Sequence, residues 1–121
     1  MNNINSLTVY GIPNCDTVKK AMNYLKSKNI NFQFHNYKTE GIKAELLKEW
    51  FALIGSEAII NKKSSTWKAL PDAQKALANN QASLITLLQA NTSIIKRPII
   101  IQEGVLPLVG FNEAEYEQKL V

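Results

Sequence analysis

Ile12-Pro13-Asn14-Cys15-Asp16-Thr17 is the stretch from which the fold of this chain can be worked out. An apolar run, Leu7-Thr8-Val9-Tyr10-Gly11-Ile12, leads into it, and a helical pattern that begins with Val18 follows it. The single cysteine therefore lies between a predicted strand, residues 6–12, and a predicted helix. Unpaired N–H groups and the dipole at a helix N-terminus favour the thiolate, which is the nucleophilic form of cysteine. A reactive thiol is one interpretation, and an inert, buried thiol is the other.

The composition narrows the class of protein. The chain has 121 residues, which predicts one domain over 1–121. One cysteine excludes an intramolecular disulfide, and one cysteine with one histidine predicts no metal site. The net charge of +4 is too small and too dispersed to indicate a nucleic-acid partner.

The sequence also indicates where the protein works. No apolar run reaches the roughly 20 residues of a membrane span, so no membrane partner is predicted. Residues 1–6 have neither the basic nor the apolar segment of a secretory signal. A cytoplasmic protein is the expectation.

A second strand is predicted over residues 31–37. Polar and aromatic residues alternate there, so that Phe32 and Phe34 share one face. His35 lies on the opposite face, and we expect it to be solvated. Strand, helix and strand form a βαβ unit, whose two strands are expected to be parallel.

The rest of the chain reads as a helical block followed by a hairpin and a helix. Residues 41–93 carry apolar positions at helical spacing. Strands are predicted over 94–101 and 105–109, joined by a turn at Gly104 and paired antiparallel. Asn112 is a predicted N-cap for a last helix, residues 113–120. The order predicts an α/β, thioredoxin-like (glutaredoxin-like) βαβ–ββα fold with a mixed four-stranded sheet and a helical insertion at about 41–93.

Four stretches then carry a family resemblance. They are Thr8 to Thr17, Ser65-Thr66-Trp67, Lys96-Arg97-Pro98-Ile99 and Gly110-Phe111, in this order. Together they resemble the arsenate reductase (ArsC)/Spx family, and most closely its ArsC-like proteins proposed to be glutathione-dependent thiol reductases. The resemblance implies that Cys15 is the nucleophile, that Arg97 belongs to an anion site, and that Pro98 follows a cis peptide bond.

The sequence departs from the family pattern at the other anion-binding positions. Where true arsenate reductases of this class carry two more arginines, this chain has Asn61 and the pair Val109-Gly110. Lys62 and Lys63 offer charge in the first of these places, although lysine lacks the planar, bidentate grip of arginine. The CxxC switch of many Spx regulators is impossible, because Val18 stands at the second cysteine position.

Two further residues beside Cys15 are candidates for the site. Asn14 is either the N-cap of the helix or a polar neighbour of the sulfur, and we favour the cap. Thr17 could donate a hydrogen bond to the sulfur or to a bound anion. We assign both to the predicted anion-binding set with Arg97, Pro98 and the two lysines.

The resemblance predicts a thiol/disulfide oxidoreductase with one nucleophilic cysteine that an external thiol resolves. No tightly bound cofactor is expected; glutathione is the predicted co-substrate and glutaredoxin a predicted partner. A glutaredoxin-coupled arsenate reductase is the first alternative. The second is an Spx-like regulator that binds the RNA polymerase α subunit.

Overall fold

A mixed four-stranded sheet forms the centre of the fold. The computed structural model describes residues 7–120, so Ser6 of the predicted first strand, the rest of residues 1–6 and Val121 lie outside the described residues. The strands are β1 (Leu7–Gly11), β2 (Gln33–Asn36), β3 (Ile99–Gln102) and β4 (Val105–Val109). Their order is β2-β1-β3-β4. β1 is parallel to β2 and antiparallel to β3, and β3 is antiparallel to β4. The predicted mixed sheet is confirmed.

The helices follow the predicted order, with several short additions. They are α1 (Asp16–Ser27), α2 (Tyr37–Glu40), α3 (Ala44–Ile54), α4 (Ser56–Ile59), α5 (Ser65–Ala69), α6 (Asp72–Lys75), α7 (Gln81–Ala90) and α8 (Glu113–Lys119). Turns of 3₁₀ helix lie at Ala76–Asn79 and Thr92–Ile94. None of the helices in the described part of the chain is long and apolar enough to cross a membrane.

The described residues form two compact units. The first comprises residues 7–40 and 97–120 and holds the sheet with α1, α2 and α8. The second comprises residues 41–96 and holds α3 to α7. Its limits lie near those of the predicted helical block. That the whole chain is one domain stays a prediction.

The core of the first unit lies on one face of the sheet. Alternation along β1 places Leu7 and Val9 on this face, where they meet apolar residues of α1 and α8. The cluster consists of Leu7, Val9, Val18, Ala21, Tyr24, Leu25, Ile100, Leu108 and Tyr116. Phe32 and Phe34 pack against it, as their alternation predicts. Burial of each large side chain contributes about 1.5–3 kcal/mol, so this face holds the sheet and the two helices together.

Hydrogen bonds between distant segments organise the second unit. The Gln89 side chain donates from Nε2 to the Ile42 carbonyl over 2.9 Å. The backbone N–H of Lys96 donates to the Ile59 carbonyl over 2.8 Å. These bonds connect the first and last parts of the insertion.

Three predicted boundaries are wrong. The strand predicted over 94–101 begins only at Ile99, because Ile94 ends a 3₁₀ turn and Pro98 has no N–H to pair. Tyr37 begins α2 instead of ending β2. β2 also begins at Gln33, two residues after the start of the predicted strand at residues 31–37.

Candidate active site

The strand pairing collects the candidate residues at one edge of the sheet. β1 and β2 are parallel, and their last residues, Gly11 and Asn36, are partners in the register. β3 runs the opposite way, and its first residue, Ile99, is the partner of Tyr10. Cys15, which follows β1, and Arg97, which precedes β3, therefore lie beyond the same edge.

Cys15 occupies the N-cap position of α1. Its backbone is extended, with φ −131° and ψ 121°, and its carbonyl accepts the first helical hydrogen bond, from the Lys19 N–H at 3.0 Å. The thiol side chain is half-buried and packs against the core of the first unit. No side-chain cap hydrogen bond is made at this end of the helix. Cys15 therefore stands at the position whose side chain usually accepts hydrogen bonds from the first N–H groups of the helix.

The prediction that Asn14 caps this helix is wrong. The helix begins one residue later than that cap requires, and Asn14 is exposed. Thr17 lies in the first turn of α1 and is half-buried. Its predicted hydrogen bond to the sulfur or to an anion stays a prediction, as does a role of Asn14 as a polar neighbour of the sulfur.

Gly11 allows three elements to approach closely beside Cys15. A Cβ atom built at this glycine would lie 2.8 Å from Cγ2 of Val18 and 3.8 Å from Cβ of Arg97. The first distance is shorter than packed carbon atoms adopt. The missing side chain thus lets the end of β1 lie directly against Val18 of α1, with Cβ of Arg97 at ordinary packing distance on the same side.

Arg97 lies at the same sheet edge, two residues before the start of β3. The residue is half-buried, and its Nε atom is buried. The Arg97–Pro98 peptide bond is cis, as the resemblance implies. The Pro98 carbonyl accepts a hydrogen bond from the Gly110 N–H over 2.8 Å, which ties the end of β4 to this segment.

Aromatic side chains that the sequence analysis did not assign to the site line the other face of the sheet at this edge. The Tyr10 ring lies 4.9 Å from the His35 ring and 6.4 Å from the Tyr37 ring, measured between centroids. His35 Nδ1 also lies 3.8 Å from Oε1 of Glu40. His35, which was expected to be solvated, is only partly so, since 23% of its side chain is exposed.

Tyr37 is the most buried member of this aromatic group. Its hydroxyl is shielded from solvent and has no hydrogen-bond partner among the described residues. Burial raises the pKa of Tyr37 far above its ordinary value; the nearby Tyr10 acts in the same direction and the charge of Arg97 in the opposite one. Its signal in the sequence is its position at the end of an alternating aromatic run, a pattern that by itself predicts a strand.

Lys62 and Lys63 lie in the second unit, between α4 and α5. The Lys62 ammonium is 3.4 Å from Oε2 of Glu57 and lies over the Trp67 ring, 5.7 Å from its centroid. The Lys63 backbone N–H donates to the Asn61 side chain over 3.1 Å. Anion binding by the two lysines stays a prediction.

The strand pairing brings two reactive groups to this edge of the sheet, the thiol of Cys15 and the guanidinium of Arg97. Among residues 7–120, no group of three or more histidine, cysteine and acidic side chains could hold a metal ion. Cys15 is the single cysteine of the whole chain, so no second thiol of the chain can form a disulfide with it.

These features define a thioredoxin-like protein with one thiol at the junction of its first strand and helix. Comparison with known families makes the assignment specific, because residues 10–119 match the ArsC family model. The chain belongs to the ArsC family.

The similarity to known proteins extends over nearly the whole chain. A solved structure named YffB is 38% identical, covers 95% of this chain and 99% of its own, and superposes with a TM-score of 0.87. An arsenate reductase (ArsC) related protein from Brucella melitensis is also 38% identical, with coverages of 93% and 92% and a TM-score of 0.70. The global transcriptional regulator Spx of Lactiplantibacillus plantarum is 32% identical, covering 93% of this chain and 84% of its own.

Proposed function

We propose that the protein is a glutathione-dependent thiol/disulfide oxidoreductase with Cys15 as its only nucleophile. The observation that carries the proposal is the position of Cys15, an uncapped helix N-terminus at the sheet edge where the chain also brings Arg97. Unpaired helix N–H groups and a nearby guanidinium both stabilise a thiolate. A chain with one cysteine needs an external thiol to complete a redox cycle.

The reaction proceeds in three exchanges. The Cys15 thiolate attacks one sulfur of a disulfide RSSR′, which forms a Cys15–S–S–R bond and releases R′S⁻, protonated by solvent. A glutathione thiolate then attacks the Cys15 sulfur, releases RSH after protonation and leaves a mixed disulfide of Cys15 with glutathione. A second glutathione attacks the glutathione sulfur of that species, which gives oxidised glutathione and the Cys15 thiolate. Two electrons pass from two glutathione molecules to one disulfide.

Arg97 holds a carboxylate of glutathione in this scheme. A guanidinium offers several N–H donors in a plane and binds carboxylates bidentately. The hydrogen bond between Pro98 and Gly110 and the packing of the Arg97 Cβ beside Gly11 hold this segment at the sheet edge. The charge therefore stays at the edge of the sheet where the thiol lies.

The test compares the native thiol with the same thiol in the unfolded chain. With oxidised glutathione at pH 7, we expect the native protein to form its glutathione adduct about tenfold faster than the urea-unfolded protein, and to release it to reduced glutathione. Mass spectrometry follows the adduct, and Cys15→Ser is the control that forms none. A native thiol that reacts more slowly than the unfolded one would contradict the proposal.

Arsenate reduction is a second candidate, because one similar structure is described as arsenate reductase related. Asn61 and Val109-Gly110 replace the family's two further arginines, and the Asn61 side chain accepts a hydrogen bond within its own loop. We expect arsenate turnover with glutathione and glutaredoxin far below that of a true arsenate reductase of this class, assayed in parallel. Comparable turnover would make arsenate the substrate.

Regulation by binding the RNA polymerase α subunit is a third candidate, because of the similarity to an Spx regulator. The surface that favours it lies in the second unit, where Lys62 packs over Trp67 and Lys63 and Lys68 are exposed. A pull-down with the purified α subunit tests it, with Lys62→Glu/Lys63→Glu as the matched variant. Recovery of equal amounts of α subunit by the native chain and the variant, or of none by either, would rule out this surface.

A further inference from the structure

The Tyr37 hydroxyl is a buried polar group whose presence the fold alone does not explain. Tyr37 is 1% exposed, and no described residue forms a hydrogen bond with its hydroxyl. Leaving such a group unsatisfied destabilises the folded state, whereas a phenylalanine would fill nearly the same volume without this penalty. A buried group of this kind calls for an explanation, and a role in the adjacent site is one that can be tested.

The strand register places Tyr37 and Arg97 at the same end of β1. Tyr37 directly follows Asn36, the register partner of Gly11, and a Cβ atom built at Gly11 would lie 3.8 Å from Cβ of Arg97. The Tyr37 ring stacks at 6.4 Å from Tyr10, whose register partner is the first residue of β3. Tyr37 and Arg97 thus lie on either side of the same strand end. The effect of the Arg97 charge on the pKa of Tyr37 is consistent with this arrangement.

We propose that Tyr37 is a positioning residue for Arg97 when the guanidinium binds the carboxylate of a thiol co-substrate. A guanidinium has five N–H donors, and a bidentate carboxylate uses two of them. The Tyr37 oxygen accepts one of the remaining N–H groups and so orients the plane of the guanidinium toward the carboxylate. The inference rests on the proposed function and adds a second residue to its anion site.

The test uses two small alkylating agents that differ in charge. Iodoacetate carries a carboxylate and iodoacetamide is its neutral analogue, and both alkylate Cys15. The rate constant with iodoacetate divided by that with iodoacetamide, normalised to the same ratio for free N-acetylcysteine, measures anion preference at the thiol. We expect Arg97→Ala to lower this ratio by at least about tenfold and Tyr37→Phe by about threefold to tenfold, since each removes a charge-assisted contact.

Tyr116→Phe is the matched control. Tyr116 is equally buried, at 1% exposed, but its hydroxyl donates to the Gly110 carbonyl over 2.5 Å. We expect Tyr116→Phe to lower the free energy of unfolding and to leave the alkylation ratio unchanged. We expect Tyr37→Phe to lower the alkylation ratio without lowering the free energy of unfolding, because the hydroxyl that it removes has no hydrogen-bond partner among the described residues.

The outcomes separate this inference from the proposed function. An unchanged ratio in Tyr37→Phe, with a lowered ratio in Arg97→Ala, would overturn the role of Tyr37 alone. An equal fall in both alkylation rates in Tyr37→Phe would indicate a structural effect and would overturn it as well. An unchanged ratio in Arg97→Ala would remove the anion site itself, while the glutathione adduct of Cys15 would still test the nucleophile independently.

Discussion

At the scale of single residues, the candidate site depends on Gly11, which has no Cβ atom. This glycine is buried at the end of β1, directly against the side chain of Val18 and the Cβ of Arg97. Its close approach, and no special backbone angle, is what requires glycine there. The helix that carries the thiol can therefore lie as close to β1 as it does only because residue 11 has no side chain.

Gly11→Ala tests this arrangement. The new Cβ would lie 2.8 Å from Cγ2 of Val18, so we expect a loss of about 1–3 kcal/mol in the free energy of unfolding and slower adduct formation at Cys15. Urea unfolding and mass spectrometry measure the two effects. Gly11→Ala/Val18→Ala is the partner variant, and its loss should be smaller than the sum of the single losses. Strictly additive losses would mean that the two side chains do not collide.

The candidate site residues differ in how far the sequence can predict them. Cys15 was found because a strand pattern and a helix pattern meet there, and Arg97 because its stretch carries the family resemblance. The sequence does not indicate Tyr37 as a candidate, because the burial of its hydroxyl depends on the tertiary fold. The N-cap of α1 is Cys15, one residue after the predicted Asn14, a difference within the usual uncertainty of a helix boundary.

At the scale of secondary-structure elements, the two helices that flank the core of the first unit begin differently. α8 has a side-chain cap, since Oδ1 of Asn112 accepts a hydrogen bond from the Glu115 N–H over 2.9 Å, as predicted. α1 has none, because Cys15 stands at its cap position. The helix that carries the thiol thus begins without the side-chain hydrogen bond that most helices use.

A pair of asparagine substitutions tests this difference. Asn112→Ala removes a cap, so we expect a loss of about 1 kcal/mol in the free energy of unfolding. Asn14→Ala removes an exposed side chain that does not cap α1, and we expect a change within about 0.5 kcal/mol. Urea denaturation of both variants measures the two values. A comparable loss in Asn14→Ala would indicate that Asn14 caps the helix after all.

At the scale of the whole molecule, two buried tyrosine hydroxyls connect stability to pH. Burial is the main cause that raises the pKa of Tyr37 and of Tyr116 above the ordinary value of 10.0. Both hydroxyls stay protonated in the folded state, whereas in the unfolded chain they ionise near pH 10. Their contribution to stability is fully present below that pH and is lost as the pH rises above it.

We therefore expect the free energy of unfolding to fall between pH 9 and pH 11, by up to about 1.4 kcal/mol per pH unit for each tyrosine. Urea unfolding at several pH values measures this slope. Tyr37→Phe and Tyr116→Phe should each make the decline shallower, and the double variant shallower still. A slope that is the same in the native protein and the double variant would show that other groups, such as lysines, cause the decline.

The sequence by itself determined the types of element, their order and the place of the thiol. Periodicity, turn residues and the Asn112 cap act over a few neighbouring residues, so they can be recognised without the fold. Only the tertiary structure decided that β3 pairs with β1 across the helical insertion, which brings Arg97 to the edge where Cys15 lies. It also decided the burial of Tyr37 beside that edge. The reason is physical: strand pairing and burial depend on apolar faces that come together from distant parts of the chain.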